Sequence, residues 1–264
     1  MIPKIIHYCW FGGKPKPELA LKCIESWKKY CPDYEIKEWN ESNFDMAACE
    51  YIKEAYTEKK WAFITDYVRL YAMFYEGGIY MDTDVEVIHS LDPFLDNKAF
   101  SGFEDFSNIP TGIMACEKGF ELFGEFLDYY KGRHFKLPDG TIDVTTNVLI
   151  ITNLCKNKGF VPNNQEQIIG GGFKLYPKDF FCPKDYTSGK IELTDRTVTI
   201  HHFSGSWKGT DEKIAKAIRN FFGEKNKFSI IVGKVFSFPF TLASRIRIYG
   251  LKNTAKHYFL RKNL

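Results

Sequence analysis

Residues 60–76 run straight into Gly77-Gly78, then into Ile79-Tyr80-Met81 and the acid pair Asp82-Thr83-Asp84. Phe63, Tyr67, Leu70, Tyr71 and Phe74 recur at spacings of three and four, which predicts a helix with a core-facing stripe. Two successive glycines stop such a helix. The apolar triplet after them reads as a short strand, and Val85, Val87 and Ile88 follow the acids. A helix packed on a sheet, feeding a strand tipped with carboxylates, is therefore the local order that this chain imposes on its fold.

The beginning of the chain supports the same class. Lys4-Ile5-Ile6-His7-Tyr8-Cys9-Trp10 is β-branched and aromatic and ends at Gly12-Gly13, a buried strand followed by a turn. Residues 18–30 place Leu19, Cys23, Ile24 and Trp27 at helical spacing and close at Cys31-Pro32, and residues 34–39 alternate like a strand. Strand–helix–strand predicts an α/β fold, with parallel strands and helices on the sheet faces. Residues 119–130, 145–157 and 211–222 read as helices, and 194–203 as a strand leading into Gly205-Ser206-Trp207-Lys208-Gly209.

Hydrophobic residues make up 44% of the 264 and aromatics 17%, which suits a globular chain. No run of eighteen uninterrupted apolar residues predicts a bilayer-spanning helix, and the N-terminus reads as the start of a mature strand rather than a signal peptide. Seven scattered cysteines without a C-x-x-C pair fit buried thiols in a reducing cytoplasm better than a disulfide framework or a zinc site. Charge divides the chain. Residues 225–264 hold nine of the 36 Lys/Arg and no acid, which leaves 27 basic against 33 acidic side chains in residues 1–224. This predicts one globular, acidic domain over 1–224 and a basic, aromatic, helical tail over 225–264. Cations interspersed with apolar residues describe an anchor on an anionic membrane surface; a basic helical cap on the core, or a nucleic-acid patch, is the competing reading.

Three segments carry chemistry. Asp82 and Asp84, two apart at a strand end, can both reach one hard divalent cation. Such a cation offsets the charge that develops on a diphosphate leaving group. A D-x-D triplet taken alone is a common solvated turn; here an apolar strand and a glycine stop precede it. In His201-His202-Phe203-Ser204-Gly205-Ser206-Trp207, one histidine could complete the cation's shell and Trp207 could close over a donor. Taken alone this segment reads as a satisfied histidine pair and a core tryptophan. Asp66 and Arg69, three apart on the helix, are an ordinary ion pair or the holders of sugar hydroxyls beside the metal.

The stretch Phe63-Ile64-Thr65-Asp66-Tyr67-Val68-Arg69-Leu70-Tyr71, with Gly77-Gly78-Ile79-Tyr80-Met81-Asp82-Thr83-Asp84, resembles glycosyltransferase family 32. Glucosylating clostridial toxins share the pattern, and their opening strand is similar to Ile6-His7-Tyr8-Cys9-Trp10-Phe11-Gly12-Gly13. The resemblance spans roughly residues 1–210. It implies a GT-A type, Rossmann-like mixed sheet and a retaining, Mn²⁺- or Mg²⁺-dependent transfer of a hexose. A nucleotide sugar, UDP-galactose or UDP-glucose by resemblance, would be the donor. The acceptor would be a glycan or lipid-linked oligosaccharide in capsular or other surface polysaccharide synthesis, on the inner face of the cytoplasmic membrane, with no nucleic-acid partner.

The resemblance also implies roles. Trp10 would stack on the base, while Asp66 and Arg69 would hold the transferred sugar. Asp82 would face ribose and metal, Asp84 would be the principal metal ligand, and His202 is the favoured histidine ligand. Ser206 and Trp207 would grip the β-phosphate, and Asn147 would sit on the donor side. A toxin-like effector that glycosylates a protein, or a non-catalytic nucleotide-sugar-binding protein, is the alternative.

Overall fold

The computed structural model describes residues 1–186 and 188–205, short stretches at 214–215, 217–218 and 221–222, and a helix at 227–260, whose side chains are described over 230–246 and at Thr254. The chain divides into two compact units, Met1–Arg133 with Thr145–Phe203, and His134–Val144 with Ser204–Leu264.

The first unit is α/β. In order it contains β1 (Ile5–Cys9), α1 (Glu18–Tyr30), β2 (Glu35–Trp39), α2 (Glu50–Thr57), α3 (Trp61–Glu76), β3 (Gly78–Met81), β4 (Val85–Val87), β5 (Ala99–Gly102), β6 (Ile113–Cys116), α4 (Glu121–Asp128), α5 (Asn147–Lys156), β7 (Gln167–Ile169), β8 (Phe173–Tyr176), α6 (Lys178–Phe181) and β9 (Thr199–His201). Seven strands form one sheet in the order β2-β1-β3-β6-β5-β8-β7, and β4 pairs with β9 alone. Helices flank this mixed sheet, the layout expected of the fold.

Not every pairing is parallel. β1–β2, β1–β3 and β5–β8 are parallel, whereas β3–β6, β5–β6 and β7–β8 are antiparallel. β5 and β6 are joined by residues 103–112 alone, too few for a helical crossover, so the chain must double back. Strand direction then places the C-terminal ends of β1, β2, β3, β5 and β8 along one edge of the sheet. That edge is where open α/β sheets bind ligands.

α3 matches its expected face only in part. Phe63 and Leu70 are buried, as are Ile64, Val68, Ala72 and Met73, while Tyr67, Tyr71 and Phe74 are only partly buried. Tyr71 and Tyr67 instead pack edge-on against Phe44, at ring separations of 5.1 and 6.3 Å. Aromatic residues thus line the shoulder of the helix, and the tight sheet contact is left to smaller ones.

The stop at Gly77-Gly78 is dictated by space. Gly77 and Gly78 adopt φ of 72° and 103°, and a Cβ on Gly78 would lie 2.7 Å from the Ile5 carbonyl oxygen. The Gly77 carbonyl meets His7 Nε2 at 2.9 Å, while Trp39 donates its indole N–H to His7 Nδ1 at 3.0 Å. Burial lowers the His7 pKa to about 4, so the ring stays neutral and ties β1, β2 and the helix stop together.

The second unit holds a bridge between Lys136 and Ile142 and the helix α7 (Lys227–Leu260), with Pro239 inside it. No described helix is long and apolar enough to cross a membrane. Within α7, Ser237 and Ser244 are buried while Ile231, Val235, Phe236, Phe238 and Phe240 are exposed. This inverts the usual polarity of a helix face.

Gly78→Ala should destabilise the chain by about 2–3 kcal/mol, because it adds an L side chain at positive φ against a backbone oxygen. Urea denaturation measures this; a loss below about 0.5 kcal/mol would contradict the spatial argument.

Candidate active site

Asp82 and Asp84 leave β3 in a tight turn. The Val85 N–H donates to the Asp82 carbonyl at 2.9 Å, and the Asp82 N–H donates to the Gly112 carbonyl at 2.8 Å. β4 then pairs Val85 with His201 of β9. The consequence is a cluster in which Asp82, Asp84 and His201 each offer a ligand atom within 4.8 Å of the other two. Ligands about 2.1 Å from one hard cation lie roughly 3–4 Å apart, so the set fits such an ion.

The histidine brought to the aspartates is His201, not the His202 favoured from sequence. Successive residues on a strand point to opposite faces, so only one of the two can turn inward. His201 Nε2 lies 3.3 Å from Asp84 Oδ1, whereas His202 Nε2 meets Glu86 at 2.8 Å. His201 Nδ1 is buried without a hydrogen-bond partner among the described residues. Burial opposes charge on the His201 ring, yet the contact with Asp84 outweighs it and raises its pKa well above the ordinary value. Room for the ring depends on Gly112, where a Cβ would lie 2.7 Å from His201 Cε1.

Asp66 and Arg69 come to the same place, but Arg69 is no flank residue. It is 6% exposed, with Nη2 3.2 Å from Asp66 Oδ1 and Nη1 3.4 Å from Asp82 Oδ1. Nη1 also donates to the Thr111 carbonyl, and the guanidinium carbon stands 4.7 Å from the Tyr80 ring centre. The Tyr80 hydroxyl donates to Asp82 Oδ1 at 2.9 Å. Two carboxylates, a carbonyl and an aromatic face thus offset the burial of one cation. Burial raises the pKa of Asp66 to about 6 in spite of Arg69.

Asn147, at the first turn of α5, lies against Asp66. Its backbone N–H reaches Asp66 Oδ2 at 3.3 Å and its side-chain amide donates to the Asp66 carbonyl at 2.7 Å. In this arrangement Asn147 positions Asp66, and the helix N-terminus favours the carboxylate's charge. Trp10 follows β1 on the same sheet edge. Its indole N–H donates to the Lys14 carbonyl at 2.6 Å, and the Lys16 ammonium lies 5.8 Å from its ring centre. Beside Lys14 opens a cleft of about 720 Å³, lined also by Gly12, Gly13, Glu41, Tyr56, Lys59 and Trp61. Ser206 and Trp207 lie outside the described residues. Sequence reading missed Tyr80, Thr111 and Gly112. Tyr80 adjoins the acid motif, but nothing in residue spacing marks the other two.

Two expectations follow. His201→Ala should weaken Mn²⁺ binding roughly tenfold or more, while His202→Ala leaves it within about twofold; calorimetric titration compares them, and equal losses would contradict the assignment. Because the Asp66 carboxyl ionises near 6 when folded and near 3.8 when unfolded, the folded state holds a proton that the unfolded chain has lost. Stability should therefore fall as pH rises from about 4 to 6, by on the order of 2 kcal/mol. Asp66→Asn should lose this component, and an unchanged pH profile would count against the shift.

Residues 17–101 match the family model described as a glycosyltransferase sugar-binding region containing a DXD motif. Inositol phosphoceramide mannosyltransferase 3 of Schizosaccharomyces pombe (strain 972 / ATCC 24843) is 32% identical over 130 residues, covering 45% of this chain and 34% of that protein. The chain thus spans about a third of the length of the curated relative it matches. Solved structures similar to it include the galactosyltransferase LgtC in complex with donor and acceptor sugar analogs (16% identity, 76% of this chain and 87% of that one, TM-score 0.41). The PaToxG glycosyltransferase (21% identity, 50% and 63%, TM-score 0.41) is another. So is the glycosyltransferase GlyE of Streptococcus pneumoniae TIGR4 (12% identity, 89% and 64%, TM-score 0.45). Residues 17–101, which contain Asp82-Thr83-Asp84, are thus similar to the sugar-binding region of glycosyltransferases that carry a DXD motif.

Proposed function

We propose that this chain is a divalent-cation-dependent glycosyltransferase that moves a hexose from a nucleotide sugar to a glycan or lipid-linked acceptor. The convergence of Asp82, Asp84 and His201 beside the Asp66–Arg69 pair carries the reading. These three residues would hold Mn²⁺ or Mg²⁺, which offsets the charge gained by the leaving diphosphate. Arg69 adds a fixed positive charge behind Asp82 and holds that carboxylate in place. Each oxygen of Asp66 can accept a hydrogen bond beyond its ion pair with Arg69 and its bond from the Asn147 N–H, which suits a sugar hydroxyl. Trp10, on the same edge, would stack on the base, with Ser206 and Trp207 gripping the β-phosphate.

Transfer would retain anomeric configuration by front-face attack. The acceptor oxygen forms its bond to the anomeric carbon as the sugar–phosphate bond breaks, and the departing phosphate oxygen takes the acceptor's proton. The protein contributes orientation and exclusion of water. UDP-galactose and UDP-glucose are the first donors to test. GDP-mannose joins them because the curated relative is named a mannosyltransferase.

The C-terminal helix supports a place on the inner face of the cytoplasmic membrane, where a surface-polysaccharide acceptor would be lipid-linked. Its exposed Ile231, Val235, Phe236, Phe238 and Phe240, in a segment with nine cations and no acid, suit an anionic lipid surface.

Mn²⁺-dependent hydrolysis across these nucleotide sugars tests the site. Chelation should abolish turnover and Asp84→Asn should lower it at least a hundredfold or so; a variant that keeps most of its activity sinks the reading. Sedimentation with phosphatidylserine vesicles tests the helix. Replacing Ile231, Val235 and Phe238 by Asp should cut the bound fraction severalfold, and unchanged binding removes the membrane from the proposal.

A further inference from the structure

Glu104 stands just past the end of β5, on the sheet edge that carries Asp82. Its backbone N–H donates to the Asn108 carbonyl at 2.9 Å, closing a loop over residues 104–108. The neighbouring Asp105 is consumed inside that loop, where its Oδ1 accepts the backbone N–H groups of Ser107 and Asn108 at 2.7 and 2.8 Å. The same connection runs on to Thr111, whose carbonyl holds Arg69, and to Gly112, whose carbonyl holds the Asp82 N–H. One short segment therefore carries Glu104 and two supports of the acid site.

The Glu104 carboxylate is partly buried, yet it accepts no hydrogen bond and forms no ion pair within 4 Å among the described residues. The charges acting on it come from His201, Asp105, Asp82 and Lys178, two of which belong to the Asp–Asp–His cluster. It also acts on the Cys182 thiol, which adjoins His201. A partly shielded carboxylate is costly to leave without a donor, the more so beside other carboxylates. It is not one of the three groups whose ligand atoms lie within 4.8 Å of one another, so it stands outside direct ligation.

We propose that Glu104 is an outer member of the cation site, accepting a hydrogen bond from a water bound to the ion held by Asp82, Asp84 and His201. The inference rests on the cation reading above. Hard cations such as Mg²⁺ keep several waters when proteins bind them, and those waters have protons to direct. A carboxylate one water away orients them, and such outer partners typically matter ten- to a hundredfold in metal affinity. Glu104 is a positioning residue in this role. It touches the ion's water, not the ion.

The test uses the full chain and Mn²⁺ alone, followed by calorimetry and by the water-proton relaxation of the bound ion. Glu104→Gln keeps the shape and removes the charge. It should weaken Mn²⁺ roughly tenfold or more and change the relaxation per bound ion, while the metal-free melting temperature stays level or rises because an unpartnered charge has gone. Glu104→Asp, which keeps the charge at shorter reach, should fall between, and it serves as the test if the glutamine variant does not fold. Asp105→Asn, which perturbs the loop alone, should leave affinity within about twofold once folded. If Glu104→Gln binds Mn²⁺ as the wild type does, Glu104 is a loop acid only and the inference is overturned. If the wild type itself binds no Mn²⁺, the cation reading falls first and takes this inference with it.

Discussion

A guanidinium almost out of reach of water organises this site. Arg69 bridges Asp66 on its own helix and Asp82 at the tip of β3, while the Thr111 carbonyl and the face of Tyr80 complete its surroundings. A buried charge is tolerated only where opposite charge and hydrogen bonds surround it. The dependence also runs the other way: without Arg69, two carboxylates and a carbonyl would be left facing one another in a partly dehydrated space. The helix, the strand tip and the segment before β6 are therefore held in one arrangement by the need to satisfy a single cation.

Sheet direction decides what gathers around that cation. Because β6 runs against its neighbours β3 and β5, those two strands point the same way, and their C-terminal ends carry Asp82 and Glu104 to one edge. β1 ends there too, bringing Trp10. His201 arrives separately, through the two-stranded pairing of β4 with β9. Residues from several distant parts of the sequence meet because strands of three to five residues end at a common line.

The second unit obeys a different logic. In α7, serines are buried while isoleucine, valine and phenylalanines are exposed, the reverse of a helix that packs its apolar face on a protein core. On the proposed placement at an anionic membrane surface, this face would meet lipid, and the absence of acids from residues 225–264 would remove repulsion from the headgroup layer.

Much of the framework was legible in the residues themselves. α1 begins and ends where the spacing of Cys23, Ile24 and Trp27 puts it, α3 ends at its glycines, and Asp82-Thr83-Asp84 follows a strand. Local chemistry suffices for these: helical periodicity, the positive φ open to glycine, and carboxylates at a strand end. Other features had no local signal. β5, β6 and β8 are four-residue strands, almost wholly buried, in which no alternation can show, and the antiparallel insertion of β6 between β3 and β5 is a matter of partners. The choice of His201 over His202 is one of parity, set by which residue faces Val85 across the ladder. Asp66 and Arg69 were visible as neighbours three apart, but not that one guanidinium would reach across to Asp82. The sequence by itself determined the elements and the acid pair, because propensity and sterics act over a few residues; only the tertiary structure decided which side chains meet, because direction, register and burial are properties of pairs distant in the chain.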